Sequence, residues 1–311
     1  MTDRDMPPVD LSVQLGPLRL ANPVLVASGT FGYGDELPEM TEVAALGGVV
    51  TKTVTLEPRA GNPPPRLHET PAGLLNSIGL QNVGCEAFSE KVLPRLLGLG
   101  PAIIVSVGGR QAEDFATCVE MLDHHDVAGY EINISCPNVT SGLEYSRSPR
   151  EAAKVLALVR AVTQRPLFAK LSPNVTDIAE IGSACLNAGA DGLTAVNTYL
   201  GMVVDVERRR PVLRRGTGGI SGPAIRPLAL ARVWELYRRL SCPIMGVGGV
   251  VTAHDALEFL LTGAAAVQIG TANFRDPARG ARVVEGLETY AREHGIVRLQ
   301  ELVGALEGGQ G

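Results

Sequence analysis

Apolar residues along this chain gather into short runs bounded by glycine or proline, and most positions within a run are apolar instead of alternating with polar ones. A strand of that kind is buried on both faces, as in a parallel sheet covered by helices. Eight such runs predict strands at 23–29, 48–53, 102–108, 130–136, 166–172, 192–198, 243–249 and 265–271. Helical patterns separate them: Thr176 is placed to cap a segment that turns Ile178, Ile181 and Cys185 to one face, and Thr252 to cap 256–261. Strand–helix alternation repeated eight times predicts the α/β class and a closed (β/α)8 TIM barrel, with an open doubly wound sheet as the alternative. Barrels of this type exceed about 200 residues as one unit, so residues 1–311 are expected to form a single domain.

Two connections, 54–101 and 199–242, are too long for a bare helix. They predict inserted loops, about 54–100 and 199–222, at the C-terminal face where a barrel does its chemistry. The predicted strand ends supply Ser28-Gly29, Lys52-Thr53, Ser106, Asn133 with Cys136, Lys170, Asn197-Thr198, Gly248-Gly249 and Gly270-Thr271 to that one mouth. A lysine or amide buried without a partner costs several kcal/mol, so such a ring implies mutual satisfaction or a ligand. The glycines after the last two strands, with Gly222, allow backbone N–H groups to face an anion such as a phosphate. Glycine also marks ordinary tight turns, and position alone separates the two readings.

Composition narrows the field. With 45% hydrophobic residues and a mean hydropathy of +0.13 the chain can bury a large core, and no apolar stretch reaches the roughly 18–20 residues of a membrane span. The charged, proline-bearing N-terminus reads as neither signal peptide nor anchor, which predicts a cytoplasmic protein. A net charge of −5 argues against nucleic acid as a partner, and Arg208–Arg210 with Arg214 and Arg215 read as a solvated loop. Cysteines at 85, 118, 136, 185 and 242 form no C-x-x-C pair, so neither a disulfide framework nor a metal site is expected. No histidine falls at a predicted strand end, which leaves Cys136 or a lysine as the candidate base, with Lys52 or Lys170 placed to favour the thiolate. The plain alternative for Cys136 is a small core thiol in a Pro-Asn turn.

Five phrases carry a resemblance: Asn133-Ile134-Ser135-Cys136-Pro137-Asn138, residues 76–82, Lys170-Leu171-Ser172-Pro173-Asn174, residues 218–225 and residues 246–250. Together they resemble dihydroorotate dehydrogenase over residues 11–292. The cysteine at 136 is similar to class 1 of that family, where class 2 has serine and a membrane-associating extension. Asn197-Thr198-Tyr199-Leu200-Gly201-Met202 is similar to the class 1B catalytic subunit. That resemblance implies FMN on this chain, and a partner subunit carrying FAD and a 2Fe-2S cluster that passes electrons to NAD+. It further implies a homodimer, or a heterotetramer once the electron-transfer subunit is bound.

Carried over position by position, the resemblance implies FMN contacts at Ser28, Lys52, Thr53, Asn133, Lys170, Val196, Gly222, Gly248, Gly249, Gly270 and Thr271. It implies orotate contacts at Lys52, Asn76, Ser77, Ile78, Gly79, Leu80, Asn133, Asn138, Asn197 and Thr198. The reaction so implied has Cys136 take the proton from C5 of dihydroorotate while hydride leaves C6 for the flavin, with Lys170 expected to stabilise the charge gained there and Lys52 to offset the substrate carboxylate. Residues 139–149 are expected to form a lid or a plain surface loop. Ser106 stands where the family commonly has asparagine, and the lid segment lacks the glycine-rich form common in class 1B. The alternatives are a fumarate-using class 1A enzyme and another FMN-dependent dihydropyrimidine oxidoreductase, such as dihydropyrimidine dehydrogenase. A tRNA-dihydrouridine synthase, a Schiff-base aldolase on Lys170 and a non-catalytic scaffold complete the set.

Overall fold

Eight short strands, buried throughout except at Ala102, close into a parallel barrel in a computed structural model that describes residues 8–33, 41–135 and 142–308. They are β1 (Val24–Val26), β2 (Gly48–Val50), β3 (Ala102–Val107), β4 (Gly129–Ile132), β5 (Leu167–Lys170), β6 (Gly192–Ala195), β7 (Ile244–Val247) and β8 (Ala266–Ile269). Neighbours in sequence are neighbours in space, and β8 pairs with β1 to complete the ring. The open-sheet alternative is thereby excluded, and each expected strand lies within the stretch its apolar run marks, shorter by a few residues or, in β4, beginning one residue earlier.

The strands read as continuous apolar runs because their two faces meet different apolar partners. Val24, Ile103, Val105, Tyr130, Ile132, Leu167, Leu193 and Ile244 belong to the large core shared with the surrounding helices. The opposite face looks into the barrel, and its composition changes with height. Leu25, Val50, Ile104, Phe168, Met245 and Ala266 form the floor together with Leu15, Leu18 and Leu20 of an N-terminal hairpin, Val13–Leu15 paired with Leu18–Leu20. Two residues further up the same faces stand Ser106, Lys170 and Gln268, all buried. Each fully buried Leu or Phe of the floor contributes roughly 1.5–3 kcal/mol over an exposed one. The polar layer above it must earn its place through hydrogen bonds.

Six main helices follow β3 to β8: α1 (Ala112–Leu122), α2 (Pro149–Val162), α3 (Ile178–Asn187), α4 (Arg226–Arg239), α5 (Ala253–Leu261) and α6 (Arg279–Glu293). Their starts are sequence-encoded. Thr252 caps α5 as expected, its hydroxyl accepting from Asp255 N while Asp255 returns the bond. At α3 the cap is Asp177, one residue past the expected Thr176; a carboxylate accepts the N–H of Glu180 and answers the positive end of the helix better than a neutral hydroxyl.

The two long insertions do not remain loops. Leu67–Thr70, Gly73–Asn76, Gly218–Ser221 and Tyr199–Gly201 form one antiparallel four-stranded sheet whose strands include Asn76 and Ser221, both of which line the barrel mouth. Of the expected lid segment, residues 139–141 lie outside the described residues, and the remainder includes a short helix, Gly142–Arg147.

Candidate active site

The strand ends, the insert sheet and the loops after β7 and β8 enclose a cavity of about 420 Å³ at the C-terminal mouth of the barrel. Its lining includes Ser28, Lys52, Thr53, Asn133, Lys170, Val196, Gly222, Gly248, Gly249, Gly270 and Thr271, which are all the expected cofactor positions. Asn76, Ile78, Gly79, Leu80, Asn197 and Thr198 line it as well. Ser77 does not. It is turned into the insert, where its hydroxyl and carbonyl accept from Asn62 Nδ2 at 2.9 and 3.0 Å. Successive residues of an extended strand point to opposite sides, so Asn76 and Ser77 cannot both face the ligand. Cys136 and Asn138 lie outside the described residues; Ser135, just before the thiol in sequence, is buried at the mouth.

A chain of hydroxyls and amides fixes the polar groups around the rim. Thr53 Oγ1 meets Ser28 Oγ at 3.1 Å and Ser106 Oγ at 2.9 Å, and accepts from Asn133 Nδ2 at 3.1 Å. Asn133 Oδ1 accepts from Ser135 Oγ at 3.0 Å, and Ser135 Oγ accepts from Asn197 Nδ2 at 2.9 Å. Asn197 Oδ1 then takes the N–H of Thr198 at 2.8 Å. The chain runs from the end of β1 through β2, β3 and β4 to β6. It sets which way each amide presents its oxygen and nitrogen, a condition for reading a ligand with fixed donors and acceptors. Ser106 is fully buried and does not line the cavity; its hydroxyl reaches the mouth through Thr53.

Charge in the cavity has one sign. Lys52, Lys170 and Arg66 line it, and among the described lining residues there is no carboxylate. Lys170 comes up from the barrel interior, where Glu131 Oε1 accepts from its Nζ at 3.1 Å. Neither Glu131 nor Gln268, which donates to Glu131 Oε2 at 2.8 Å, figured among the expected site residues. The signal for Glu131 was a charged residue inside an otherwise buried run, and for Gln268 a polar one in β8.

The glycine cradle has little room for side chains at Gly222, Gly248 and Gly249, whereas Gly270 has ordinary backbone and space around it. Gly249 has φ +80°, and a Cβ there would sit 2.8 Å from Arg226 Cβ and 2.9 Å from Gly222 O. Arg226 is itself held by ion pairs to Asp255 and to Glu258, the latter at 3.1 Å, so the Gly222 loop and the start of α5 are clamped together. Ser221, absent from the expected set, receives Thr271 Oγ1 at 2.8 Å across the same cradle.

The remaining thiols are poor reagents. Cys85, Cys118 and Cys185 are fully buried, and Cys242 is half-buried. Burial pushes the Cys185 thiol up to about 12 and that of Cys242 to about 11.

Fold and site define a (β/α)8 barrel whose mouth gathers glycines, amides and lysines around one cavity. A sequence model of the dihydroorotate dehydrogenase family matches residues 10–290, and the chain belongs to that family. It is 49% identical over 299 residues to a protein of Geotalea uraniireducens named dihydroorotate dehydrogenase B (NAD(+)), catalytic subunit, covering 96% of this chain and 98% of that one. Proteins of the same name from Trichlorobacter lovleyi (50% identical, 96% and 99% covered) and Geobacter sulfurreducens (49%, 96% and 98%) are similar to it over the same span.

Enzymes of this family are FMN-dependent oxidoreductases in general, and the residues present fit that cofactor. The glycine cradle with Thr271 suits a phosphate. Among the described residues Lys170 Nζ makes one hydrogen bond, to Glu131, which leaves donors for a ring oxygen or nitrogen.

Proposed function

We propose that this chain is the FMN-bearing catalytic subunit of an NAD+-linked dihydroorotate dehydrogenase, oxidising (S)-dihydroorotate to orotate in pyrimidine (UMP) biosynthesis. One observation carries the reading: three amides (Asn76, Asn133, Asn197) and two lysines (Lys52, Lys170) converge on one cavity beside a glycine cradle. The amides supply both donors and acceptors to a pyrimidinedione edge, and Lys52 balances the ligand carboxylate, which dihydrouracil lacks. FMN, when bound, supplies the hydride acceptor for C6 of the substrate.

The chain's own residues do the rest. Gly222, Gly248, Gly249, Gly270 and Thr271 would hold the cofactor phosphate, while Ser28, Lys52, Thr53, Asn133, Val196 and Lys170 would meet its ring and remaining polar edges. Asn76, Ile78, Gly79, Leu80, Asn197 and Thr198, with Asn138, position the pyrimidine; Ser77 supports Asn76 from behind through its bonds to Asn62. Cys136 removes the C5 proton. A Schiff-base role for Lys170 is disfavoured by its ion pair with Glu131, since an amine must be neutral to attack a carbonyl.

The acceptor is NAD+, reached through a partner subunit carrying FAD and a 2Fe-2S cluster; the names of the relatives support this over fumarate. The assembly is a heterotetramer built on a homodimer of this chain, in the cytoplasm. No helix among the described residues is long and apolar enough to cross a membrane. The test is orotate formation by the purified chain with and without the co-expressed partner. NAD+ should support turnover only in the complex, and efficient turnover with fumarate by the isolated chain would move the assignment to class 1A.

A further inference from the structure

The barrel interior contains a charge that ligand binding alone does not require. Glu131 is fully buried on β4 and engages Lys170 Nζ with one oxygen and Gln268 Nε2 with the other, at 3.1 and 2.8 Å. Gln268 stands on β8, on the opposite side of the ring from β4, so the brace crosses the barrel just above its apolar floor. Sealing a carboxylate into such a place costs several kcal/mol before pairing, and apolar replacements of buried ion pairs are often no less stable. Stability is therefore a weak reason to keep it. A lysine meant only to attract an anion into the cavity would do so more strongly without a carboxylate behind it.

We propose that Glu131 is a positioning residue that fixes the Lys170 ammonium at the cavity wall and lowers the reduction potential of the FMN bound there. The proposal rests on the functional reading above. Reduction adds negative charge to the ring, Lys170 favours that change, and a fixed negative charge directly behind Lys170 opposes it. In a low-dielectric interior such opposition carries across several ångströms. The result is a bound flavin that gives up electrons more readily, as delivery to a weak oxidant such as nicotinamide demands. Gln268 shares in the adjustment, because its donor disperses part of the carboxylate charge. Its own Oε1 is buried without a partner among the described residues. Rotation of that amide would accept the new NH2 of Glu131→Gln, while the remaining oxygen of residue 131 still receives Lys170.

The experiment is anaerobic equilibration of the flavin-loaded protein with a redox dye of known potential, with no substrate present. Glu131→Gln should shift the reduction equilibrium at least tenfold toward reduced flavin, about 30 mV for a two-electron couple. Glu131→Asp, which keeps the charge, should stay within about threefold of the unaltered protein. Gln268→Met, which removes the neutral donor, should shift it the opposite way from Glu131→Gln, and decides by sign if Glu131→Gln does not fold. Unshifted equilibria in Glu131→Gln and Gln268→Met, or a shift toward oxidised flavin in Glu131→Gln, overturn the proposal while the functional reading stands. Purified protein that neither retains nor takes up FMN overturns both.

Discussion

A thiol serves as a base only where its anion can form and reach the substrate. Cys85, Cys118 and Cys185 are shut in the core and the Cys242 thiol is pushed up to about 11, which leaves Cys136 as the candidate base of the proposed reaction. Replacing Cys136 with alanine should lower turnover by roughly 10²- to 10⁴-fold while the flavin stays bound; steady-state orotate formation checks this, and near-normal rates would remove the thiol from the mechanism. Alkylation near neutral pH should fall on Cys136 first and be slowed by orotate, as peptide mapping by mass spectrometry would report. At this scale lysines and amides were legible because a polar residue at the end of an apolar run has few reasons to be there. Glu131 was not, because its partners Lys170 and Gln268 lie on other strands, 39 and 137 positions away in sequence. Ser77 was misplaced because a motif shared with a family does not record which alternate residue faces the ligand.

Among the elements, the barrel strands announce themselves and the insert sheet does not. Each strand is a local run of apolar residues, whereas the sheet over the mouth depends on pairings such as Gly219 with Asn76, 143 positions apart, that no local pattern encodes. The cradle was legible as a set of glycines; the clamp of Arg226 by Asp255 and Glu258 that braces it was not. Gly249→Ala tests the cradle. The left-handed conformation costs a non-glycine residue about 1–2 kcal/mol, and the added methyl meets Arg226 and the Gly222 carbonyl, so FMN affinity should fall at least tenfold. Fluorescence titration of the apoprotein with FMN measures it, and unaltered affinity would place the phosphate elsewhere.

For the molecule as a whole, closure of the ring was an inference from counting, and the floor hairpin that plugs it went unread because two three-residue strands carry little pattern. Burial of thiols in the core has a consequence for alkaline stability. Cys185 titrates near 12 in the fold against an ordinary value of 9.0, so its contribution is complete below about pH 9 and is lost as pH rises toward 12. Urea unfolding should show stability falling between pH 9 and 11, and Cys185→Ala should reduce that slope by up to about 1.4 kcal/mol per pH unit. An identical slope in both proteins would mean that the thiol does not titrate as its burial requires.

If one cavity holds FMN against a pyrimidine and Lys52 reads the ligand's carboxylate, the flavin should respond only to a substrate that carries that group. Anaerobic titration of the flavin-loaded protein with dihydroorotate, set beside dihydrouracil, tests it directly. Dihydroorotate should bleach the visible flavin absorbance at one equivalent or a small excess while dihydrouracil leaves it unchanged; equal bleaching by the two, or none by either, would contradict the account.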